Sequence, residues 1–206
     1  MVTKEQLIEI IIAITERAGV KFAVGGGVAV FTYGYRRDTA DVDAFFHYGD
    51  REKILRAANQ ILDSSFVLEE LDPSHWTITH EDSPPDERVD LLFATGDPEE
   101  SAVEMAVPRT YHKTPVMVFP VDLLVVSKFL AERDDAKDSL DIYSLLRRGA
   151  VTSEDVVLRL RQMGMGEDAE RFKDFVTYLK ELSTRKGSPV QKKKPCLSGS
   201  HTPQNQ

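Results

Sequence analysis

Residues 23–46 carry the most informative pattern in the chain: AVGGGVAVFTYGYRRDTADVDAFF. A short apolar segment leads into three successive glycines, which predict a tight turn between a strand and a helix. Asp41 and Asp43 follow with one residue between them, in a segment whose aromatic residues favour a strand. Because side chains of a strand alternate between its two faces, both carboxylates would project from the same face. Two carboxylates on one face repel each other unless a cation lies between them, so the pair predicts a metal site.

Length and charge limit the possible functions. The chain has 206 residues, which is enough for one globular unit with a sizeable core. Its 26 basic and 34 acidic residues give a formal net charge of -8. Broad electrostatic binding to nucleic acid needs clustered Lys and Arg, so this composition argues against it, and we expect no DNA partner. A local basic groove stays possible.

Cysteine content and hydropathy indicate the compartment. The chain has one cysteine, Cys196, which excludes an intramolecular disulfide framework and a thiolate zinc cluster. The first 19 residues lack the pattern of a signal peptide, and no segment reaches the roughly 18 consecutive apolar residues of a membrane span. We therefore expect a cytoplasmic protein with no membrane partner.

The periodicity of the sequence predicts a mixed α/β chain that becomes helical towards its C-terminus. Helix-like spacing of apolar residues alternates with short segments of strand character up to residue 119, and helical spacing dominates from Pro120. The last 23 residues are rich in Lys, Ser, Pro and Gln and predict a disordered tail. The predicted domains are a core (1–119), a helical subdomain packed on it (120–183) and the tail (184–206). Predicted helices cover 3–18, 28–33, 51–64 and 98–106, and predicted strands cover 20–24, 41–46, 66–71, 75–79, 88–94 and, as a short edge strand, 116–119.

A third carboxylate interrupts the apolar strand Arg88–Ala94 at Asp90. An unpaired buried carboxylate is costly, so Asp90 either faces solvent at the rim or has a partner. The three glycines have two interpretations: a plain tight connection, or a turn whose backbone N–H groups bind a phosphate. They match neither the dinucleotide-binding spacing nor a P-loop. Together, the turn and the three acids fit metal-assisted phosphoryl or nucleotidyl transfer, in which two Mg²⁺ ions are held by carboxylate oxygens.

The motifs VGGGVA, GYRRDTADVDAFF, VDLLF and SKFLAERDDAKDSLDIYSLL occur in this order. In this arrangement the chain resembles the nucleotidyltransferase-fold family, specifically the branch with AbiEii-type toxins of bacterial toxin–antitoxin systems and related uncharacterised nucleotidyltransferases. The resemblance covers about residues 20–148. It implies an α+β fold in which helices flank a nucleotidyltransferase-like mixed β-sheet and a helical bundle follows.

The resemblance also implies roles for individual residues. Asp41 and Asp43 would bind the metal ions, and Asp90 would complete the metal site and act as general base. The remaining positions are expected to bind the nucleotide, although helix lysines and arginines are usually solvated: Gly25, Gly26, Gly27, Arg37, Lys128 and Asp138.

These roles imply an Mg²⁺-dependent enzyme with an NTP as substrate, while the acceptor stays open. It could be RNA, most plausibly a tRNA end, in a toxin that has a separate antitoxin protein. It could also be a small molecule such as an aminoglycoside or lincosamide antibiotic, or a protein side-chain hydroxyl. A non-catalytic nucleotidyltransferase-like binding protein is the alternative from a different class.

Overall fold

A computed structural model of the chain describes residues 2–131 and 136–184. Strands and helices are interspersed up to residue 118, and helices follow. The strands are β1 (Ala23–Val24), β2 (Val42–His47), β3 (Phe66–Asp72), β4 (His75–His80), β5 (Arg88–Ala94), β6 (Val107–Tyr111) and β7 (Thr114–Val118). The helices are α1 (Lys4–Ala18), α2 (Gly26–Thr32), α3 (Arg51–Ile61), α4 (Glu99–Glu104), α5 (Val121–Leu130), α6 (Ala136–Arg147), α7 (Ser153–Gln162) and α8 (Gly166–Thr184).

The strands form one mixed sheet in the order β3-β4-β5-β2-β1-β7-β6. The pairs β2–β5 and β1–β7 are parallel, and the other neighbours are antiparallel. The parallel register of β2 and β5 places Asp43 opposite Asp90. Two of the predicted site residues therefore become direct neighbours through strand pairing.

The burial pattern of β2, which begins one residue after Asp41, shows why Asp43 projects from the sheet. Val42, Ala44 and Phe46 are buried, whereas Asp43 and Phe45 on the other face are only partly buried. This alternation turns the apolar residues into the core and keeps the second aspartate on the opposite face.

Helix α1 starts with a capping box at Thr3. The Thr3 hydroxyl accepts from the backbone N–H of Gln6, and the Gln6 side chain accepts from the backbone N–H of Thr3. The apolar face of α1, which includes Ile8 and Ile11, is fully buried. Capping and burial together fix one helix against the core.

The C-terminal part is helical, as predicted. The central residues of α5, Leu123–Val126, are buried. Phe129 near the end of α5 packs against Phe172 and Phe175 of α8, with ring centroids 5.1 and 5.6 Å apart. The fold class predicted from the sequence, a mixed sheet flanked by helices with further helices after it, is confirmed.

Some predicted elements differ from the structure. Strand β6 was not predicted, because it contains Pro108 and its residues are mostly exposed. It is β6, and not β7, that forms the edge of the sheet. Strand β1 has only two residues, and α2 begins at Gly26 instead of residue 28. Thr184, predicted as the start of the tail, ends α8, and residues 185–206 lie outside the described residues. No helix among the described residues is long and apolar enough to cross a membrane.

Candidate active site

The glycine turn lies against the side chains that follow it in sequence. Gly26 has a left-handed φ of 52°, and a Cβ there would lie 1.7 Å from Oδ2 of Asp43. A Cβ at Gly27 would lie 2.4 Å from Oγ1 of Thr39. The backbone N–H of Gly25 donates to the carbonyl oxygen of Asp43 at 2.9 Å. Glycine is required here because only a residue without a Cβ leaves room for these neighbours.

Three carboxylates come together beside this turn, and we call Asp41, Asp43 and Asp90 the acid triad. One oxygen from each lies within 4.8 Å of the others. The Thr39 hydroxyl donates to Oδ1 of Asp41 at 2.7 Å and orients that carboxylate. Converging carboxylate oxygens are the ligands that hard divalent cations such as Mg²⁺ prefer. The residues present therefore fit a divalent metal ion.

Asp90 differs from the other two acids because it is buried, with an exposed fraction of 4%. Nε2 of His75 lies 2.8 Å from Oδ1 of Asp90, and Nε of Arg88 donates to the same oxygen at 2.9 Å. The sequence predicted that Asp90 either faces solvent at the rim of the sheet or has a partner. The structure shows that Asp90 has partners. Two groups on one oxygen hold the carboxylate in a defined orientation.

Sequence reasoning did not assign His75 or Arg88 to the site. Arg88 is two residues before Asp90 on the same strand, so the period of a strand could have placed it on the same face. His75 comes from the neighbouring strand β4, and only the register of β4 with β5 brings it to Asp90.

A second cluster of charges, which we call the ionic network, consists of Arg37, Lys128, Asp138 and Asp141. Arg37 makes a bidentate pair with Asp141, with Nε to Oδ1 at 2.7 Å and Nη2 to Oδ2 at 2.8 Å. Nζ of Lys128 lies 2.6 Å from Oδ1 of Asp138 and 2.8 Å from Oδ2 of Asp141. The network thus joins the segment before β2 to helices α5 and α6.

Burial and ion pairing have opposite effects on the pKa values of Asp141 and Arg37, at the centre of this network. Asp141 has no exposed surface. Burial alone would raise the pKa of Asp141, but the hydrogen bonds from Arg37 and Lys128 outweigh it and hold that pKa below its ordinary value. Burial would likewise lower the pKa of Arg37, yet the bond to Asp141 raises it overall. The charged forms of these groups therefore stabilise one another.

The ionic network contains three of the residues predicted to bind the nucleotide. Of these, Arg37 is the link to the acid triad, because the charge of Asp41 also favours the charged form of Arg37. Their contact with a nucleotide stays a prediction. The family resemblance also points to Asp141, which together with Asp138 matches a KD-x-x-D element, and the spacing of three places both on one face of α6.

Comparison with solved structures identifies the architecture. A nucleotidyltransferase-like protein from Paracoccidioides brasiliensis is similar to 87% of this chain over 90% of its own length, with 14% identity and a TM-score of 0.58. The fold is nucleotidyltransferase-like. The structure of ANT(2")-Ia in complex with adenylyl-2"-tobramycin is also similar, with 16% identity over 89% of this chain and 100% of that one and a TM-score of 0.50. No family model and no curated protein matches the sequence.

On this nucleotidyltransferase-like fold, strand pairing and the glycine turn assemble the predicted acids into one cluster. The turn Gly25–Gly27 lies against Asp43 and Thr39, and β5 contributes Asp90. The arrangement can hold a divalent cation and leaves a buried, oriented carboxylate beside it.

Proposed function

We propose that the protein is an Mg²⁺-dependent nucleotidyltransferase that transfers NMP from an NTP to an acceptor hydroxyl. The observation that carries the proposal is the acid triad, whose carboxylate oxygens lie within 4.8 Å of one another beside the glycine turn. Such a cluster of negative charge is unfavourable unless a cation neutralises it. The nucleotidyltransferase-like fold supports this assignment.

The acid triad and the glycine turn would have different roles in the reaction. Asp41, Asp43 and Asp90 would hold Mg²⁺, and the NTP phosphates would lie against the turn Gly25–Gly27. Bound there, Mg²⁺ would neutralise the triphosphate and lower the pKa of the acceptor hydroxyl.

In the transfer step, the acceptor oxygen forms a new bond to the α-phosphorus. The bond from the α-phosphorus to the oxygen that bridges to the β-phosphorus breaks, and pyrophosphate leaves with that electron pair. The hydroxyl proton passes to the carboxylate of Asp90. His75 and Arg88 hold this carboxylate in place through its Oδ1 atom.

Two acceptors follow from different observations. The sequence resemblance to AbiEii-type toxins supports an RNA acceptor, with a tRNA end and an antitoxin partner as the specific case. The structural similarity to ANT(2")-Ia, which was solved with adenylyl-2"-tobramycin, supports a small-molecule acceptor as the second candidate.

The metal and nucleotide assignment is tested by direct binding. We expect the wild-type protein to bind NTP in the presence of Mg²⁺, and the double variant Asp41→Asn with Asp43→Asn to lose at least about a hundredfold in affinity. The matched control, Glu9→Gln with Glu16→Gln, removes two exposed carboxylates from α1 and should bind as wild type. Equal binding by the Asp41/Asp43 variant would contradict the proposal.

Transfer itself is tested by incubating the protein and Mg²⁺ with each of the four labelled NTPs. Total RNA, protein and small hydroxyl compounds serve as acceptors in separate reactions. Label should appear in one acceptor class and should be absent with the Asp41/Asp43 variant. Binding of Mg²⁺ and NTP without transfer to any class would instead indicate a non-catalytic binding protein.

A further inference from the structure

The two edges of the sheet differ in how they are protected. At one edge, β6 contains Pro108, and Phe31 of α2 packs on Tyr111 at the end of β6, with ring centroids 4.8 Å apart. At the other edge, β3 has seven residues without a proline, and within the part of the chain that the structure describes it pairs with β4 alone. The β3 edge is therefore open to a further strand.

The hydrogen-bond pattern shows which backbone groups of β3 face outwards. The N–H of Glu81 donates to the carbonyl oxygen of Ser65 at 3.0 Å, so these opposed residues form a hydrogen-bonded pair at the end of the β3–β4 ladder. Hydrogen-bonded and non-hydrogen-bonded positions alternate along an antiparallel pair. Leu68 and Glu70 therefore direct their N–H and C=O groups away from β4. They offer two donors and two acceptors to an added strand.

Exposed apolar side chains accompany these backbone groups. Val67 is 52% exposed and Leu71 is 51% exposed. Burial of such side chains against a partner contributes favourable free energy. The edge also has a defined place relative to the acid triad, because Glu69 lies opposite Thr77 and Thr77 lies opposite Asp90 in the register of the sheet. The outer face of β3 thus continues the face that carries Asp90.

The charge of β3 has one sign. The strand contains Glu69, Glu70 and Asp72 but no Lys or Arg. Glu69 forms no ion pair with any described residue, and the contact of Glu70 with Arg51 is long, at 3.4 Å. Like charges on neighbouring strands destabilise their pairing, and β3 of a second copy would bring these acids close to their own counterparts. The charge therefore favours a basic strand over a second copy of the chain.

We propose that β3 is a docking edge for another protein, which adds an extended basic segment to the sheet as an antiparallel strand. Strand addition gains affinity from main-chain hydrogen bonds and specificity from the side chains of the added strand. Antiparallel pairing is the more stable direction. The added strand would lie three strand spacings, about 14 Å, from the strand that carries Asp90, so it leaves the acid triad open. This inference does not depend on the proposed function.

The test measures the binding of a fluorescent, N-acetylated and C-amidated peptide, KVKKVTV, by anisotropy. Antiparallel to β3, its lysines lie opposite Asp72, Glu70 and Glu69, and its β-branched residues lie opposite the apolar positions. The acidic counterpart EVEEVTV has the same strand pattern and should bind at least about tenfold more weakly. Equal affinity for the two peptides would overturn the basic partner.

Two N-methylated isomers of KVKKVTV separate strand pairing from plain charge attraction. Methyl groups on the backbone nitrogens of the third and fifth residues remove the donors that face Glu70 and Leu68, whereas methyl groups on the fourth and sixth residues lie on the far edge of the peptide. The first isomer should lose about tenfold in affinity, and the second should stay within about threefold of the parent peptide. Equal binding of the two isomers would overturn strand addition.

On the protein, Glu70→Pro removes an outward N–H at an exposed edge position, where a sheet tolerates proline, and Glu70→Ala removes the carboxylate alone. Glu70→Pro should bind KVKKVTV at least about fivefold more weakly than Glu70→Ala, while thermal unfolding reports whether each variant is folded. Equal affinity of the two folded variants would contradict the proposal. If Glu70→Pro does not fold, the N-methylated isomers decide the question.

Three further measurements exclude other occupants and other sites. The double variant Asp41→Asn with Asp43→Asn should bind KVKKVTV as wild type does, and a loss would place the basic peptide at the acid triad. Light scattering should give the same oligomeric state for wild type and Glu70→Pro, and a dimer that this variant disrupts would assign the edge to a second copy. Tighter peptide binding by a variant without the lysine run near the C-terminus would assign the edge to that segment of the chain itself: Lys192→Gln, Lys193→Gln, Lys194→Gln.

Discussion

The acid triad and the ionic network lie side by side but differ in charge balance. Within the network, two cations and two carboxylates pair at 2.6–2.8 Å around a fully buried Asp141. The triad brings three carboxylates within 4.8 Å, and His75 and Arg88 pair with one of them, Asp90. Balanced charge suits a structural joint, whereas excess negative charge creates affinity for a cation. Four measurements test whether the two clusters differ in this way.

The largest effect is expected from Asp141→Ala, which leaves Arg37 and Lys128 without their shared carboxylate. Removing one partner from a buried ion pair costs about 3–5 kcal/mol, so the free energy of unfolding should fall by that amount in a denaturant titration. Glu170→Ala, which removes an exposed carboxylate paired with Arg161 and Lys173, is the control and should change stability little. Similar losses in both variants would mean that the network does not act as a joint.

Mg²⁺ should stabilise the folded protein by binding to the acid triad. At a hundred times its dissociation constant, a ligand that binds only the folded state adds about 2.7 kcal/mol, which a thermal unfolding scan detects. The Asp41→Asn, Asp43→Asn variant should show no such gain, while Asp141→Ala should keep it if the protein stays folded. A gain that persists without Asp41 and Asp43 would place the metal elsewhere.

His75→Ala tests how firmly Asp90 is held. Loss of a partner of a metal-binding side chain typically lowers metal affinity or activity by about 10- to 100-fold, so Mg²⁺ affinity should fall by this factor. His75→Gln should recover part of it by donating to the same oxygen. His80→Ala on the same strand is the control. If His75→Ala lowered stability but left Mg²⁺ affinity unchanged, His75 would have no part in positioning Asp90.

The smallest effect is the acid sensitivity of the network. The pKa of Asp141 is lower in the folded protein than its ordinary value of 3.8, so its carboxylate contributes stability that is complete above that value. This contribution should be lost as the pH falls below 3.8 through the folded-state pKa. Unfolding free energies measured across this range should decline less steeply in Asp141→Ala. Identical pH dependence in wild type and variant would contradict the assignment.

The triad could be predicted from sequence because its signals are local. The spacing of Asp41 and Asp43 on one strand, and an aspartate inside the apolar run around Asp90, each indicate an exceptional carboxylate within a few residues. Their convergence depends on the parallel pairing of β2 with β5, which the sequence did not predict because β3 and β4 lie between these two strands along the chain.

The partners of these residues could not be predicted, because they depend on long-range register and packing. His75 reaches Asp90 only through the pairing of β4 with β5, and Asp141 meets Arg37 across 104 residues of sequence. The edge strand β6 was not predicted, because Pro108 has no backbone N–H to donate and proline is typical of loops. Sequence therefore indicated which side chains were unusual, while the fold determined what each of them contacts.

In the glycine turn, a different neighbouring side chain occupies the space beside each of the three glycines. A methyl group would collide with the ring of Phe45 at Gly25, with the carboxylate of Asp43 at Gly26, and with the hydroxyl of Thr39 at Gly27. Because Thr39 orients Asp41, alanine at Gly26 and alanine at Gly27 would displace different members of the acid triad. Each glycine of the turn therefore constrains a different neighbouring side chain, so substitutions at the three positions would disturb the candidate site in three distinguishable ways.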